Sequence, residues 1–302
     1  LSARTRRALV FDNRGVGRSD VPGGPYSIPG RAEDAKAVLD AAGVDGAHVI
    51  GASMGGMIAQ ELALRHPSRV KSLILACTSC GGLRAKFPQP SRFRNQASWP
   101  AQTPQDRILA FNPLLYHPGT PPERIEEDNR IRLRWHPTPR GYLNQLIAIL
   151  RWSSYGRLPR ISVPTLIVHG DSDVIVPPEN AAILARRIPN AQVRMIPAAG
   201  HIFTTDQPEL SHRWLLDFFQ GRKETSTNGP AIGTRLIPKR RSHFPNTTKR
   251  SKSCAAADFT DMISPHPLIF AAWIIRPQEV NGLASAALRM HHEYRGTMGF
   301  AG

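Results

Sequence analysis

The stretch Val49-Ile50-Gly51-Ala52-Ser53-Met54-Gly55-Gly56-Met57-Ile58-Ala59 constrains this chain more than any other part of it. An apolar run over 47–50 reads as a short buried strand. It breaks on small residues, and a helical period then starts at Met54, with Leu62 one turn beyond Ile58. Arg65, His66 and Pro67 supply a cationic stop. A strand, a sharp turn and a helix with Ser53 at the apex make a G-x-S-x-G elbow. The flanking glycines have a steric task, because a turn this tight brings the strand and helix backbones too close for Cβ atoms. Ser53 is pushed into a strained, outward-facing conformation, and the Met54 amide at the helix start is placed to face an oxyanion.

A serine hydroxyl needs a base, and that base needs an acid to hold it. The downstream chain offers both in the order this motif requires. Residues 163–168 read as a strand leading into His169-Gly170-Asp171-Ser172-Asp173, and residues 192–196 read as a strand leading into Pro197-Ala198-Ala199-Gly200-His201. In an open parallel sheet the C-terminal strand ends converge on one crevice. Ser53, Asp173 and His201 are therefore the candidate catalytic residues, with Met54 N–H as an oxyanion donor. His48, His66, His117, His136, His169 and His212 show no partner pattern and read as structural. Spaced ligand pairs for a metal are absent, and neither a metal nor a cofactor is expected. Cys77-x-x-Cys80 follows a strand and reads as small loop residues rather than a redox pair.

The rest of the chain has an α/β rhythm. Strands are expected over 7–11 and 70–76, and helices over 28–42, 179–187 and 208–220. Units of strand, helix and strand of this length imply a parallel sheet with right-handed crossovers. Between about 82 and 160 the rhythm changes to proline-punctuated amphipathic pieces, the best of them a helix over 142–152. This segment reads as a helical lid inserted over the sheet. The expected organisation is a discontinuous core (1–82 and 161–221), a helical cap (83–160) and a basic tail of low order (222–302).

At 302 residues, with a net charge of +16, the chain is long enough for a full α/β core and strongly basic. Charge of this kind binds polyanions without specificity, so no specific nucleic-acid partner is expected. No apolar run reaches the ~20 residues of a membrane span. Three cysteines and the lack of a secretion-type apolar start suggest a reduced, cytoplasmic setting. Nothing in the sequence sets an oligomeric state.

Phe11-Asp12-Asn13-Arg14-Gly15-Val16-Gly17-Arg18-Ser19-Asp20, Gly51-Ala52-Ser53-Met54-Gly55-Gly56, Gly170-Asp171-Ser172-Asp173-Val174-Ile175-Val176-Pro177 and Gly200-His201 together resemble the signature blocks of the α/β-hydrolase superfamily. The Ser-Met-Gly-Gly form is most similar to small carboxylesterases, enol-lactone hydrolases and cofactor-free perhydrolases. The resemblance implies a serine hydrolase of carboxylic esters or lactones. It also selects Asp173 over Asp171 as the acid, leaving Asp171 as a solvated loop carboxylate.

Two departures from that pattern are visible. The family places further strands and a His-Gly loop, the source of a second oxyanion N–H, ahead of the Phe11 strand, whereas only six residues precede that strand here. The expectation is an N-terminally incomplete sheet with a gap before the elbow strand, and impaired turnover. The second departure is the tail, whose apolar island over 267–275 could fill that gap or remain poorly packed. The alternatives to an active esterase are a catalytically weak or inactive hydrolase fold used for binding and, more distantly, nucleic-acid binding by the tail.

Overall fold

The computed structural model describes residues 8–92, 103–134 and 139–221, together with a strand at 272–275. In chain order the main elements are β1 (Ala8–Phe11), α1 (Ile28–Ala41), β2 (Ala47–Ala52), α2 (Met54–Arg65) and β3 (Val70–Ala76). Three helices follow, α3 (Pro104–Leu115), α4 (Pro122–Arg134) and α5 (Pro139–Leu150). The sheet then resumes with β4 (Thr165–Gly170), α6 (Glu179–Arg187), β5 (Ala191–Ile196), α7 (Phe203–Asp206) and α8 (Pro208–Phe219), and β6 (Ala272–Ile275) completes it.

The strands form one sheet in the order β1-β6-β2-β3-β4-β5. Strands β2 to β5 are parallel neighbours, as the crossovers require. Their residues alternate strictly between two apolar layers. Val49, Leu73, Leu75 and Ile167 face a core built with α1, α2 and α6. Ile50, Ile74, Ala76, Leu166 and Val168 face the other side, where Trp214, Leu215, Phe218 and Phe219 of α8 cover them. A sheet covered on both faces explains why the strands read as continuous apolar runs.

Local signals set the element ends. Ser27 caps α1 by accepting a hydrogen bond from Gly30 N at 3.1 Å, and Pro29 occupies the first turn, where a missing N–H costs nothing. The helix expected at 142–152 starts earlier, at Pro139, for the same reason.

The gap expected between β1 and β2 is filled by β6. This strand runs antiparallel to both neighbours, with Ala272 opposite Phe11 and Gly51, and Ile275 opposite Ala8 and His48. An unfilled gap would leave two facing rows of backbone N–H and C=O groups unpaired, and a four-residue strand satisfies both. The pairing direction sets this strand apart from its parallel neighbours: its first residue, Ala272, lies at the end of the sheet where β2 gives way to Ser53. The remainder of 222–302 lies outside the described residues, as do Trp99, Trp135 and His136. Among the described residues no helix is long and apolar enough to cross a membrane.

One buried group conflicts with the core around it. Arg31 on α1 is fully buried, and its three guanidinium nitrogens have no hydrogen-bond partner among the described residues. The nearby carboxylate of Asp34 is taken by Arg14, leaving Arg31 only the face of Tyr26, 5.1 Å from the ring centroid. Burial lowers its pKa to about 10, with Asp34 acting in the opposite direction. Arg31→Met, which keeps the volume and removes the orphaned donors, is expected to raise unfolding stability by about 1–3 kcal/mol. Urea titration of the two proteins checks this; a lower midpoint for Arg31→Met would contradict it.

Candidate active site

The elbow forms as its sequence demands. Ser53 has φ +52° and ψ −119°, a backbone conformation that a non-glycine residue adopts only under constraint. The constraint is visible on both sides of the turn. Ser53 N donates to Ala76 O at 2.8 Å, extending the β2–β3 ladder, and Thr78 Oγ1 donates to Ser53 O at 2.6 Å. Ser53 O also accepts from Gly56 N and Met57 N, locking the turn onto α2. A Cβ at Gly51 would overlap Gly55 O, so only glycine lets strand and helix pass this closely. The Met54 N–H lies in the first turn of α2, where backbone donors have no intrahelical acceptor.

Strain collects along this rim of the sheet. Among the described residues, the non-glycine ones with positive φ are Ser53 just after β2, Cys77 just after β3 and Ala198 just after β5. All three lie beyond the C-terminal strand ends, where parallel α/β sheets hold their sites. Cys77 N donates to Val168 O at 2.9 Å, and its thiol lies 3.9 Å from Gly200 O, next to His201. The rim thus runs from Ser53 through Cys77 to the histidine loop.

Asp173 and His201 meet directly. His201 Nδ1 lies 2.8 Å from Asp173 Oδ2, and both residues are buried. The other carboxylate oxygen accepts from Ile175 N and Val176 N, each at 2.9 Å. Burial by itself pushes the Asp173 pKa up, but the charge of His201 and hydrogen bonds from His169 and His201 outweigh it, and the net shift is well below the usual carboxylate range. An ionised Asp173 accepts only, so the hydrogen of this pair sits on Nδ1 of His201, and Nε2 is the ring nitrogen turned away from the acid. Among the described residues no hydrogen bond joins Ser53 Oγ to His201.

His169 has more than the structural role its position in the strand suggested. Its Nε2 sits 2.8 Å from Val176 O and 3.3 Å from Asp173 Oδ2, and the residue is fully buried. It therefore lies against the same carboxylate oxygen that His201 contacts. The sequence signal was its place four residues before Asp173, at the end of β4. Asp206 was also overlooked: it accepts from Gly200 N at 2.6 Å, and burial raises its pKa against these hydrogen bonds. Asp171, by contrast, is exposed and accepts only from Ser172 Oγ and Ala199 N. Cys77, His169 and Asp173 bring possible metal-ligand atoms within 4.8 Å of one another. Those atoms are already committed: Asp173 to His201, His169 and two amides, while burial and the Asp173 charge keep the Cys77 thiol protonated. Cys77 and Cys80 are both free and buried.

Comparison with known proteins gives the family of the chain. A family profile described as alpha/beta hydrolase fold matches residues 1–208, and the chain belongs to that family. It is 32% identical over 225 residues to the poly(3-hydroxyalkanoate) depolymerase of Ectopseudomonas oleovorans, covering 74% of this chain and 78% of that one. A protein of Azorhizobium caulinodans named for carbamate hydrolysis, RutD, is 34% identical over 224 residues, covering 72% and 82%. The thermophilic esterase of Thermogutta terrifontis shares 29% identity with a TM-score of 0.58, covering 70% and 78%. The relatives are hydrolases, and the parallel sheet with its helices on both faces is theirs as well.

The low pKa of Asp173 ties stability to pH. A carboxylate depressed below its ordinary value of 3.8 stabilises the fold above that value and loses the contribution as pH falls through the folded-state value. Asp173→Asn should therefore be less stable than the wild type at pH 6, with the gap unchanged down to about pH 5 and narrowing only as pH falls through and below the ordinary carboxylate value toward pH 3. Urea midpoints measured across that range decide it; a gap that stays constant or widens would show that Asp173 does not carry this linkage.

Proposed function

We propose that this chain hydrolyses carboxylic esters, cyclic esters included, through Ser53, His201 and Asp173. The observation that carries the reading is the buried 2.8 Å Asp173–His201 hydrogen bond, set on the same rim as a serine held at positive φ. That pairing orients a base whose free nitrogen faces away from the acid, as nucleophile activation requires.

The steps follow from the chemistry of acyl transfer. Ser53 Oγ attacks the ester carbonyl carbon while His201 Nε2 removes its proton. The carbonyl oxygen becomes an oxyanion, stabilised by the Met54 N–H, a contact of a kind worth about 3–4 kcal/mol. Collapse of the tetrahedral species breaks the bond to the alcohol oxygen, and the imidazolium protonates the departing alcohol. A water molecule, deprotonated by the same ring, then attacks the acyl-serine and releases the acid. Asp173 remains ionised throughout, holding the ring in one tautomer.

Helices α3 to α5 act in this reading as a cap that sets what enters. Phe111, Leu114, Leu115 and Tyr116 of this insertion pack with Val174, Ile175 and Ile202, the neighbours of the acid and the base. An apolar wall of this kind favours an uncharged acyl or alcohol group over a charged one.

A p-nitrophenyl butyrate assay with three proteins tests the reading. Ser53→Ala should lower kcat by at least about 10⁴-fold, and Asp173→Asn by about 10³–10⁴-fold, with both variants folded by circular dichroism. Wild-type turnover that survives Ser53→Ala would overturn it. A folded wild type without turnover of any ester offered would favour the other reading, a hydrolase fold used only for binding.

A further inference from the structure

The insertion between β3 and β4 is joined by hydrogen bonds to the loop that carries His201, and a single carboxylate makes the central connection. Asp206 is buried at the end of α7, five residues after the histidine. Its Oδ2 accepts from Gly200 N at 2.6 Å, immediately before His201. Its Oδ1 accepts from Thr120 Oγ1 at 2.5 Å and from His117 N at 3.3 Å, both in the turn that joins α3 to α4. Each oxygen therefore serves one of two chain segments that are far apart in sequence.

Other contacts tie the same two segments without passing through Asp206. Ile202 N donates to Leu115 O at 3.0 Å, on the other side of His201. Thr205 Oγ1 donates to Asp128 Oδ2 at 2.6 Å, and Tyr116 OH reaches the same oxygen at 3.0 Å. A Cβ at Gly200 would fall 2.7 Å from Leu115 O, so the histidine loop lies against the end of α3 with no space for a side chain. Amides on both sides of His201 are thus held, one by Asp206 and one directly by the insertion.

We infer that Asp206 is a positioning residue for His201, and that Thr120 transmits the seating of the helical insertion to the base through it. The inference rests on the proposed role of His201 as the base. When the insertion sits in place, Thr120 and His117 fix one oxygen of Asp206, and the other oxygen fixes the Gly200 amide. Loss of the Thr120 hydroxyl leaves that oxygen with the His117 amide alone at 3.3 Å, and the hold of the carboxylate on the amide before the histidine loosens. A base displaced by a fraction of an ångström from its partner costs far more in rate than in substrate binding.

Thr120→Val removes the hydroxyl and leaves Asp173, His201 and Ser53 unaltered. The expected result on p-nitrophenyl butyrate is a kcat about tenfold lower with KM within about twofold of the wild type. Amide hydrogen exchange should quicken over residues 199–203 while β3 keeps its protection, and Thr120→Ser should restore both the rate and the protection. If Thr120→Val does not fold, the pair Thr120→Ala and Thr120→Ser makes the same comparison. Unchanged exchange over 199–203 in the folded variant overturns the inference, as does a loss confined to KM. Should the wild type lack ester turnover, the proposed reaction fails, but the exchange comparison still decides the coupling between Thr120 and the histidine loop.

Discussion

The site depends on one steric constraint, the close crossing of the loops that leave β4 and β5. A Cβ at Gly170 would overlap the carbonyl oxygens of Ala199 and Gly200, so the two loops touch backbone to backbone. Ser172 N donates to Ala199 O and Asp171 N to Ile196 O across the same crossing. This contact brings an acid and a base 28 residues apart into a hydrogen bond that water does not reach. Burying a carboxylate is costly, and Asp173 offsets that cost with three donors, two amides and the His201 ring, and with the His169 ring 3.3 Å away. Remove the crossing, and neither the ionisation of the acid nor the tautomer of the base is specified.

Much of this arrangement was legible in the residues. The elbow at Ser53 announced itself because strand, small residues and helix follow in eleven positions, and each has a local cause. The meeting of Asp173 and His201 was legible by order and by their places after apolar runs, with the family pattern choosing Asp173 over Asp171. The parallel sheet was legible because strand, helix and strand units follow one another, and the runs at the centres of β2 to β4 are apolar, as strands covered on both faces are.

What was missed consists of side chains whose roles depend on long-range packing. His169 looked like a strand residue, and only the turn of the acid loop brings Asp173 back to 3.3 Å from its ring. Asp206 reads as an ordinary acidic residue near a helix end, since its partners Thr120 and His117 lie more than 80 positions away. The strand at Ala272–Ile275 is a further case. Its apolar pattern was plain, but a four-residue strand carries no register of its own, and the gap between β1 and β2 gives it one. Arg31 is another case, a charged residue buried on α1 that the helical pattern over 28–42 did not single out.

The central claim is that the buried Asp173–His201 pair activates Ser53. The most direct measurement is intact-mass and peptide analysis after exposure to a fluorophosphonate, which reacts rapidly with serines that a neighbouring base deprotonates. The account predicts one adduct per chain, located on Ser53, and its disappearance in His201→Ala with the fold preserved. An unmodified Ser53 in the folded wild type, or equal labelling in His201→Ala, would contradict it.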